Sequence, residues 1–326
     1  MRSYSFIIPS YNPGSNLLKC LESINGLDCD NDKYEIIVVD DGSTDDSLRK
    51  LEELKISNLR IFRNSHQGVA KARNFGIEKA EKSILVFLDQ DVIVKKNLLQ
   101  IYDQAFRLTN PGAVQGNIWE QIIDNKVTKI HSKWRQIVFL NKAGDDDGFI
   151  KTIVTRNAAI NKKILDEIKL RYGYIFDESI SGAGGEDREL GYRMHDLGVK
   201  ICLEPKAVVY HKDPDRLVSI LIQKYKHAQG DVKYGIGEKL FDLNNFKRAV
   251  IIPIKEGVPV YFAFLVWLFH ITGAESQRMK QNLNSTNEKM YCFLKRLEDL
   301  IGSFFGLVIG FPVLLFRRRS FKSMIF

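Results

Sequence analysis

The sequence predicts an α/β fold in which a mostly parallel, Rossmann-like sheet carries helices on both faces. Two observations predict it. Over the first hundred residues, short apolar runs rich in β-branched and aromatic residues alternate with helical patterns, and polar motifs follow the apolar runs. Such runs are typical of buried parallel strands, and regular strand–helix alternation favours crossover connections. In sheets of this kind, ligands bind at the carboxyl ends of the strands.

The apolar runs place four strands in this region, at residues 5–8, 35–39, 59–62 and 84–88. Between them, leucine and isoleucine residues recur on single helical faces: Leu17, Leu18, Leu21 and Ile24 on one, and Leu48, Leu51 and Leu54 on another. The rest of the predicted catalytic region is less regular. We expect candidate strands at 127–130 and 149–154, a helix at 185–197, strands at 199–203 and 207–210, and longer helices after Pro214.

Composition places the chain among ordinary globular proteins, with 326 residues, 44% hydrophobic and 27% charged. The formal charge is +8, and residues 251–326 hold ten Lys/Arg against five Asp/Glu, which is +5 of that excess. A basic excess beside apolar segments indicates an anionic membrane surface and argues against a nucleic-acid partner. The four cysteines form no Cys-x-x-Cys pair, which argues against a zinc or redox site, and the start has no signal-peptide pattern.

Polar motifs stand at the ends of the predicted strands. In chain order they are Pro9-Ser10-Tyr11-Asn12, Asp40-Asp41-Gly42-Ser43, the run from His66 to Asn74, and Asp89-Gln90-Asp91. Each motif alone is weak, since an Asp-Gly-Ser turn is usually just a turn. Together with a later acidic motif, and in this order, they resemble the family 2 glycosyltransferases of the GT-A group, from about residue 3 to residue 211.

Asp89 and Asp91 form a candidate metal site. Residues two apart in an extended segment point the same way, so both carboxylates can face one ion. Carboxylate oxygens favour Mn²⁺ or Mg²⁺, ions that commonly bridge protein carboxylates to phosphates. The alternative is a solvated acidic turn that ends a strand.

The resemblance implies the donor contacts. Pro9 and Tyr11 correspond to the wall beside the nucleobase, and Asp41 to the acceptor of a base N–H, which favours uracil. Arg73 corresponds to a residue that reaches the nucleotide from the third loop, and Asp89 contacts the donor as well as the metal. The plainer interpretation of these residues is turn chemistry and a surface arginine.

The acceptor side carries the motif Gly184-Gly185-Glu186-Asp187-Arg188-Glu189-Leu190. Glycines before a helical run place Glu186 and Asp187 in its first turn, where the helix N-terminus stabilises an ionised carboxylate. Asp187 is then the predicted general base, Glu186 orients a sugar hydroxyl, and direct attack with one base predicts inversion. Acidic helix capping is the alternative. His211, at a strand end, resembles a third metal or diphosphate contact, although a lone histidine is more often structural.

Two apolar segments, 258–271 and 300–316, lie in the C-terminal part, and the second runs into Arg317-Arg318-Arg319. At 17 residues the second is at the lower limit for spanning a bilayer. We expect both to lie on or dip into the cytoplasmic face of the cell membrane. Buried helices at an oligomer interface or in a C-terminal core are the alternative.

The sequence thus predicts a GT-A catalytic domain at 1–215, with a donor half (1–112) and an acceptor half (113–215), and a helical, membrane-associating region at 216–326. The expected function is inverting, Mn²⁺- or Mg²⁺-dependent transfer of a sugar from a nucleotide sugar, with UDP favoured, to a glycan or lipid-linked acceptor in cell-surface glycan synthesis. Two alternatives stay open: a catalytically silent nucleotide-sugar-binding subunit, and transfer to a soluble or protein acceptor, with the apolar tail serving a homo-oligomer.

Overall fold

The computed structural model describes residues 1–52, 54–120, 126–140, 149–179, 185–211 and 216–233, together with Val258, Pro259, Ala263, Val266 and Trp267. The chain divides into two compact units, Met1–Ala274 and Glu275–Phe326, and the described residues all belong to the first. The apolar segment 300–316 and most of 258–271 lie outside the described residues. The predicted domain boundary near residue 215 stays a prediction.

The described part of the chain alternates strands and helices. The strands are β1 Tyr4–Ser10, β2 Tyr34–Asp40, β3 Leu59–Arg63, β4 Ile84–Leu88, β5 Val92–Val94, β6 Ala113–Glu120, β7 Asn157–Asn161 and β8 Ile201–His211. The helices are α1 Asn16–Asn25, α2 Ser47–Glu52, α3 Val69–Lys79, α4 Leu98–Thr109, α5 Lys126–Leu140, α6 Lys162–Tyr172, α7 Glu186–Asp196 and α8 Leu217–Lys233. The four predicted N-terminal strands, the helix before Leu197 and the helix after Pro214 are confirmed.

The strands form one sheet in the order β3-β2-β1-β4-β7-β6-β8-β5. Its first half is parallel, with Tyr4 of β1 level with both Tyr34 of β2 and Ile84 of β4. The second half is mixed, because β7 runs antiparallel to both β4 and β6, and β5 runs antiparallel to β8. Four of the seven pairings are parallel, so the sheet is mostly parallel as expected, and the antiparallel pairings are those made by β5 and β7. A strand such as β7, which joins the centre of the sheet after a long connection, can pair with its neighbours in either direction.

Helices cover both faces of the sheet, as expected. Successive residues of β1 show why, since Phe6 and Ile8 pack on the face covered by α1 and α4, whereas Ile7 packs on the face covered by α3, α6 and α7. Side chains alternate across a strand, so a run that is apolar throughout supplies a core to each face. A third apolar cluster joins α5 to α8, with Trp134 against Ile220 and Leu221.

Two expected strands in the second half were placed wrongly, and one strand was missed. Residues 127–130 lie inside α5, where Val127 and Ile130 recur at helical spacing and pack against the apolar cluster that includes Trp134 and Ile220. Residues 149–154 contribute a single bridge, between Phe149 and Cys202. The buried central strand is β7, whose run Asn-Ala-Ala-Ile-Asn carries too few large apolar residues to signal a strand.

The two strands expected at 199–203 and 207–210 are one continuous strand, β8. Its pairing with β6 slips between Gly116 and Asn117, where the partners jump from Glu204 to Val208. The Asn157 side-chain amide fills the gap by donating to Asn117 O and Ala207 O, each at 2.8 Å. Because of this irregularity, β8 continues to the edge of the sheet at which β1, β2 and β4 end, and its last residue is His211.

Candidate active site

The carboxyl ends of β1, β2 and β4 meet at one edge of the sheet, and each carries a predicted motif. Asp41 follows β2 and Asp89 follows β4. Tyr11 follows β1 and is 42% exposed, whereas Pro9 is buried within β1 opposite Val39. Of the two residues expected to form the nucleobase wall, Tyr11 is thus the one that presents its side chain to solvent.

Asp89, Asp91 and His211 form the candidate metal corner, with one ligand atom from each lying within 4.8 Å of the others. The reason differs from the one expected, because Gln90 and Asp91 form a turn and the motif is not an extended segment. The edge strand β5 pairs antiparallel with β8 so that Val92 lies opposite His211. This register brings His211 Nε2 to 3.1 Å from Asp91 Oδ2.

The chemistry of the metal corner suits a divalent cation. Burial, together with the charge of Arg156, lowers the pKa of His211 and favours the neutral imidazole that binds metals. Carboxylate and imidazole donors are compatible with Mn²⁺. The pKa of Asp89 is lowered too, because the charges of Arg156 and Arg73 outweigh the effect of burial, so that this carboxylate stays ionised.

Asp89 is held between two arginines. Arg156 Nε donates to its Oδ2 at 2.9 Å, and Arg73 Nη2 donates to its Oδ1 at 3.3 Å. Each oxygen therefore already uses one lone pair, although a carboxylate offers about four acceptor positions. This separates the roles of the two acids of the motif: Asp89 is oriented by arginines, and Asp91 faces His211.

Arg73 connects the donor and acceptor halves. Its Nη1 donates to Glu186 Oε1 at 2.6 Å, across 113 positions of the chain, and its guanidinium lies 5.6 Å from the centre of the Phe176 ring. Only 5% of Arg73 is exposed. The structure therefore places this residue, expected to reach a nucleotide, in a buried ion-pair relay from Asp89 through Arg73 to Glu186.

Helix α7 presents both acids of the second motif in its first turn, directly after Gly185, whose φ of +110° favours glycine. Glu186 is buried, and burial together with the charge of Asp187 raises its pKa while Arg73 opposes the rise. Asp187 is half-buried, and its Oδ2 lies 3.4 Å from the Thr155 N–H. Its Oδ1 accepts from Arg188 N–H at 2.8 Å.

A second group of contacts surrounds Tyr11. Its ring lies over the His66 ring, with centroids 4.3 Å apart and planes inclined by 33°. His66 Nδ1 lies 3.1 Å from Asp41 O. The Asp41 carboxylate accepts from the N–H groups of Gln67 and Gly68, each at 2.8 Å, so it holds the third loop in place. Asp40, by contrast, accepts from Ser43 N–H and caps its own turn.

Three residues here were missed or left without a role by the sequence. Neither Arg156 nor His66 is among the site residues predicted above, and Gln90 enters only as the residue between Asp89 and Asp91. No local signal identifies Arg156 or Gln90, since their partners lie 67 and 79 positions away. For His66, the position directly before a glycine-containing loop at a strand end is the one available hint.

Comparisons with known proteins agree with this architecture. The family model described as "Glycosyl transferase family 2" matches residues 5–169, about half of the chain. The uncharacterized glycosyltransferase YfnE of Bacillus subtilis (strain 168) is 26% identical over 258 residues, which is 64% of this chain and 64% of YfnE. The glycosyltransferase GlyG of Streptococcus pneumoniae serotype 4 is 35% identical over 119 residues, or 35% and 38% of the two chains. The chain thus spans less than two thirds of either relative.

Two solved structures share the fold. The mannosyltransferase PcManGT of Pyrobaculum calidifontis, in complex with GDP-Man and Mn²⁺, matches with a TM-score of 0.57 and 19% identity over 94% of this chain and 81% of that one. Residues 1–349 of Staphylococcus aureus TarS, in complex with UDP-GlcNAc, match with a TM-score of 0.52 and 15% identity over 85% and 92%. Within the part of the chain that the structure describes, no helix has the length and apolar character needed to cross a bilayer.

Proposed function

The chain belongs to glycosyl transferase family 2, and we propose that it moves a sugar from a nucleotide-sugar donor to an acceptor hydroxyl, with inversion and with a divalent metal ion. The observation that carries the proposal is the convergence of Asp89, Asp91 and His211 at the carboxyl edge of the sheet. Arg73 joins this corner directly to the acidic start of α7. A donor site and a candidate base thus share one charged network.

Each residue has a proposed part in the reaction. Asp91 and His211, with Asp89, would hold Mn²⁺ or Mg²⁺, which when bound offsets the negative charge of the departing nucleoside diphosphate. Asp187 takes the proton of the acceptor hydroxyl as that oxygen bonds to the anomeric carbon and the bond to the diphosphate breaks. Attack from the face opposite the leaving group inverts the configuration. Glu186 orients a sugar hydroxyl.

The donor and acceptor classes are also part of the proposal. We place the nucleobase of the donor against Tyr11. Asp41 then offers its remaining acceptor positions to an N–H group of the nucleobase, which favours UDP. Support for a UDP sugar comes from TarS, whose structure holds UDP-GlcNAc, although PcManGT holds GDP-Man. The polybasic, apolar C-terminal part of the chain supports a membrane-proximal glycan acceptor on the cytoplasmic face.

The first experiment measures melting temperature with a panel of nucleoside diphosphates and nucleotide sugars, with and without Mn²⁺. A ligand at a hundred times its dissociation constant adds about 2.7 kcal/mol, which a melting curve resolves. We expect a shift that requires both Mn²⁺ and one nucleotide. A protein that responds to no nucleotide would contradict the proposed donor site.

Variants then separate the roles. Asp91→Asn should remove the Mn²⁺-dependent part of the shift, whereas Asp166→Asn, an exposed acid on α6, should leave it unchanged. Asp187→Asn should keep the shift and cut sugar transfer by several orders of magnitude, since it removes the base without touching the donor site. A nucleotide shift in the wild-type protein without any transfer to glycan, lipid-linked or soluble acceptors would favour a nucleotide-sugar-binding subunit.

A further inference from the structure

Gln90 makes a contact that the proposed reaction does not explain. Its side-chain Oε1 accepts from Tyr11 N–H at 2.8 Å, and its Nε2 donates to Tyr11 O at 3.2 Å. The side-chain amide thus pairs with both polar backbone groups of one residue, as a neighbouring strand would. The pairing stands where the ladder between β1 and β4 has already stopped, at Ile7 and Phe87.

The two ends of this contact belong to different parts of the site. Gln90 lies between Asp89 and Asp91, the two carboxylates of the candidate metal corner. Tyr11 carries the exposed ring that stacks on His66, and His66 in turn contacts Asp41. The side-chain amide of Gln90 therefore joins two loops. One would hold the metal ion that binds the diphosphate, and the other, which carries Tyr11, would hold the nucleobase.

We propose that Gln90 is a positioning residue that fixes the spacing between the nucleobase wall and the metal corner; this inference rests on the proposed function. A nucleoside diphosphate engages both places at once, so its affinity depends on how well their separation is preset. Linking two binding groups strengthens binding only when the geometry allows simultaneous engagement. When the separation is already fixed in the free protein, less free energy is lost in ordering the two loops as the ligand binds.

The inference predicts a specific pattern among ligands. Gln90→Leu keeps the side-chain volume nearly unchanged and removes both hydrogen bonds to Tyr11. We expect it to weaken UDP binding in the presence of Mn²⁺ by at least roughly 5-fold and by no more than about 150-fold, the range that corresponds to two lost hydrogen bonds. Binding of uridine alone and of Mn²⁺ with pyrophosphate should change less than twofold, because each fragment uses one end of the site.

Two further variants make the test discriminating. Gln90→Asn keeps the amide but is one methylene too short to reach Tyr11 from the same backbone, so it should behave like Gln90→Leu. Gln104→Leu makes the same chemical change at an exposed position on α4 and should leave all three affinities unchanged. Amide hydrogen exchange adds a readout without any ligand: the Tyr11 N–H should exchange faster in both Gln90 variants than in the wild type.

The measurement is isothermal titration calorimetry of each protein with UDP, uridine, and Mn²⁺ with pyrophosphate, with GDP and guanosine in parallel. A loss of affinity in the Gln90 variants for the whole nucleotide, but not for its fragments, supports the inference. Equal loss for whole ligand and fragments, or wild-type affinity in Gln90→Leu, would overturn it. Wild-type protein that binds none of these nucleotides would remove the proposed function and the inference together, an outcome distinct from a failure of the Gln90 variants alone.

Discussion

Replacing Arg73 by methionine removes the positive charge that lies between Asp89 and Glu186. The change keeps a long unbranched side chain in the same space. Asp89 retains the hydrogen bond from Arg156 at 2.9 Å, but Glu186 loses its 2.6 Å partner in a buried position. The main consequence should therefore fall on Glu186.

The expected loss in the free energy of unfolding depends on whether Glu186 stays ionised or takes up a proton. Removing one partner of a buried ion pair typically costs about 3–5 kcal/mol, because the remaining charge is buried alone. Glu186 can instead take up a proton. From its ordinary pKa of 4.5 that costs about 3.4 kcal/mol at pH 7, at about 1.4 kcal/mol for each pH unit. The cheaper route sets the limit, and the pKa of Glu186 in the folded protein already lies above 4.5, so we expect a loss of stability of at most about 3 kcal/mol at pH 7.

The same reasoning predicts how the loss depends on pH. At pH 5 protonation costs about 0.7 kcal/mol, so most of the penalty of Arg73→Met should disappear. At pH 7 the melting temperature should fall by at most about 6–12 °C, given roughly 2–4 °C for each kcal/mol in a domain of this size class. Urea denaturation and thermal melts at both pH values measure the two effects.

A double-mutant cycle isolates the pair. Glu186→Gln removes the carboxylate charge, so Arg73→Met should cost much less in that background than in the wild type. A penalty that is the same at pH 5 and pH 7, or that adds in full to that of Glu186→Gln, would show that the relay does not stabilise the junction as argued. The loss would then reflect the contacts of the arginine with Phe176 and Asp89.

Three other predictions concern different parts of the molecule. Gly191→Ala would place a Cβ 2.7 Å from Ile153 N, against backbone, so we expect a loss of about 1–3 kcal/mol by urea denaturation. Burial pushes the pKa of Glu35 upward, but hydrogen bonds outweigh it and hold the pKa below 4.5; Glu35→Gln should therefore destabilise the protein at pH 7, and the difference should shrink as pH falls through the folded pKa. Deleting the chain after Asp299 should release the protein from anionic vesicles in a sedimentation assay, and continued pelleting would refute the proposed anchor.

Local information in the sequence was sufficient for the first four strands of the donor half, but not for the short edge strand β5. Each of these four strands is a compact apolar run, and each loop that follows carries its polar residues within a few positions. Burial on both faces of a parallel sheet demands such runs, so the pattern and the structure coincide. The acids of α7 were found for the same reason, because a helix start is signalled by its own neighbours.

Tertiary structure alone decided the second half of the sheet and the contacts between the residues of the site. The run at 127–130 is compatible with either a strand or a helix, and packing against α8 selects the helix. His211 faces Asp91 because β5 and β8 pair in one register, and Arg73 meets Glu186 across 113 positions of the chain. Such contacts depend on which surfaces are buried together, a quantity that no short window of sequence contains. The candidate chemistry could therefore be predicted from the sequence, but the partners that hold it in place could not.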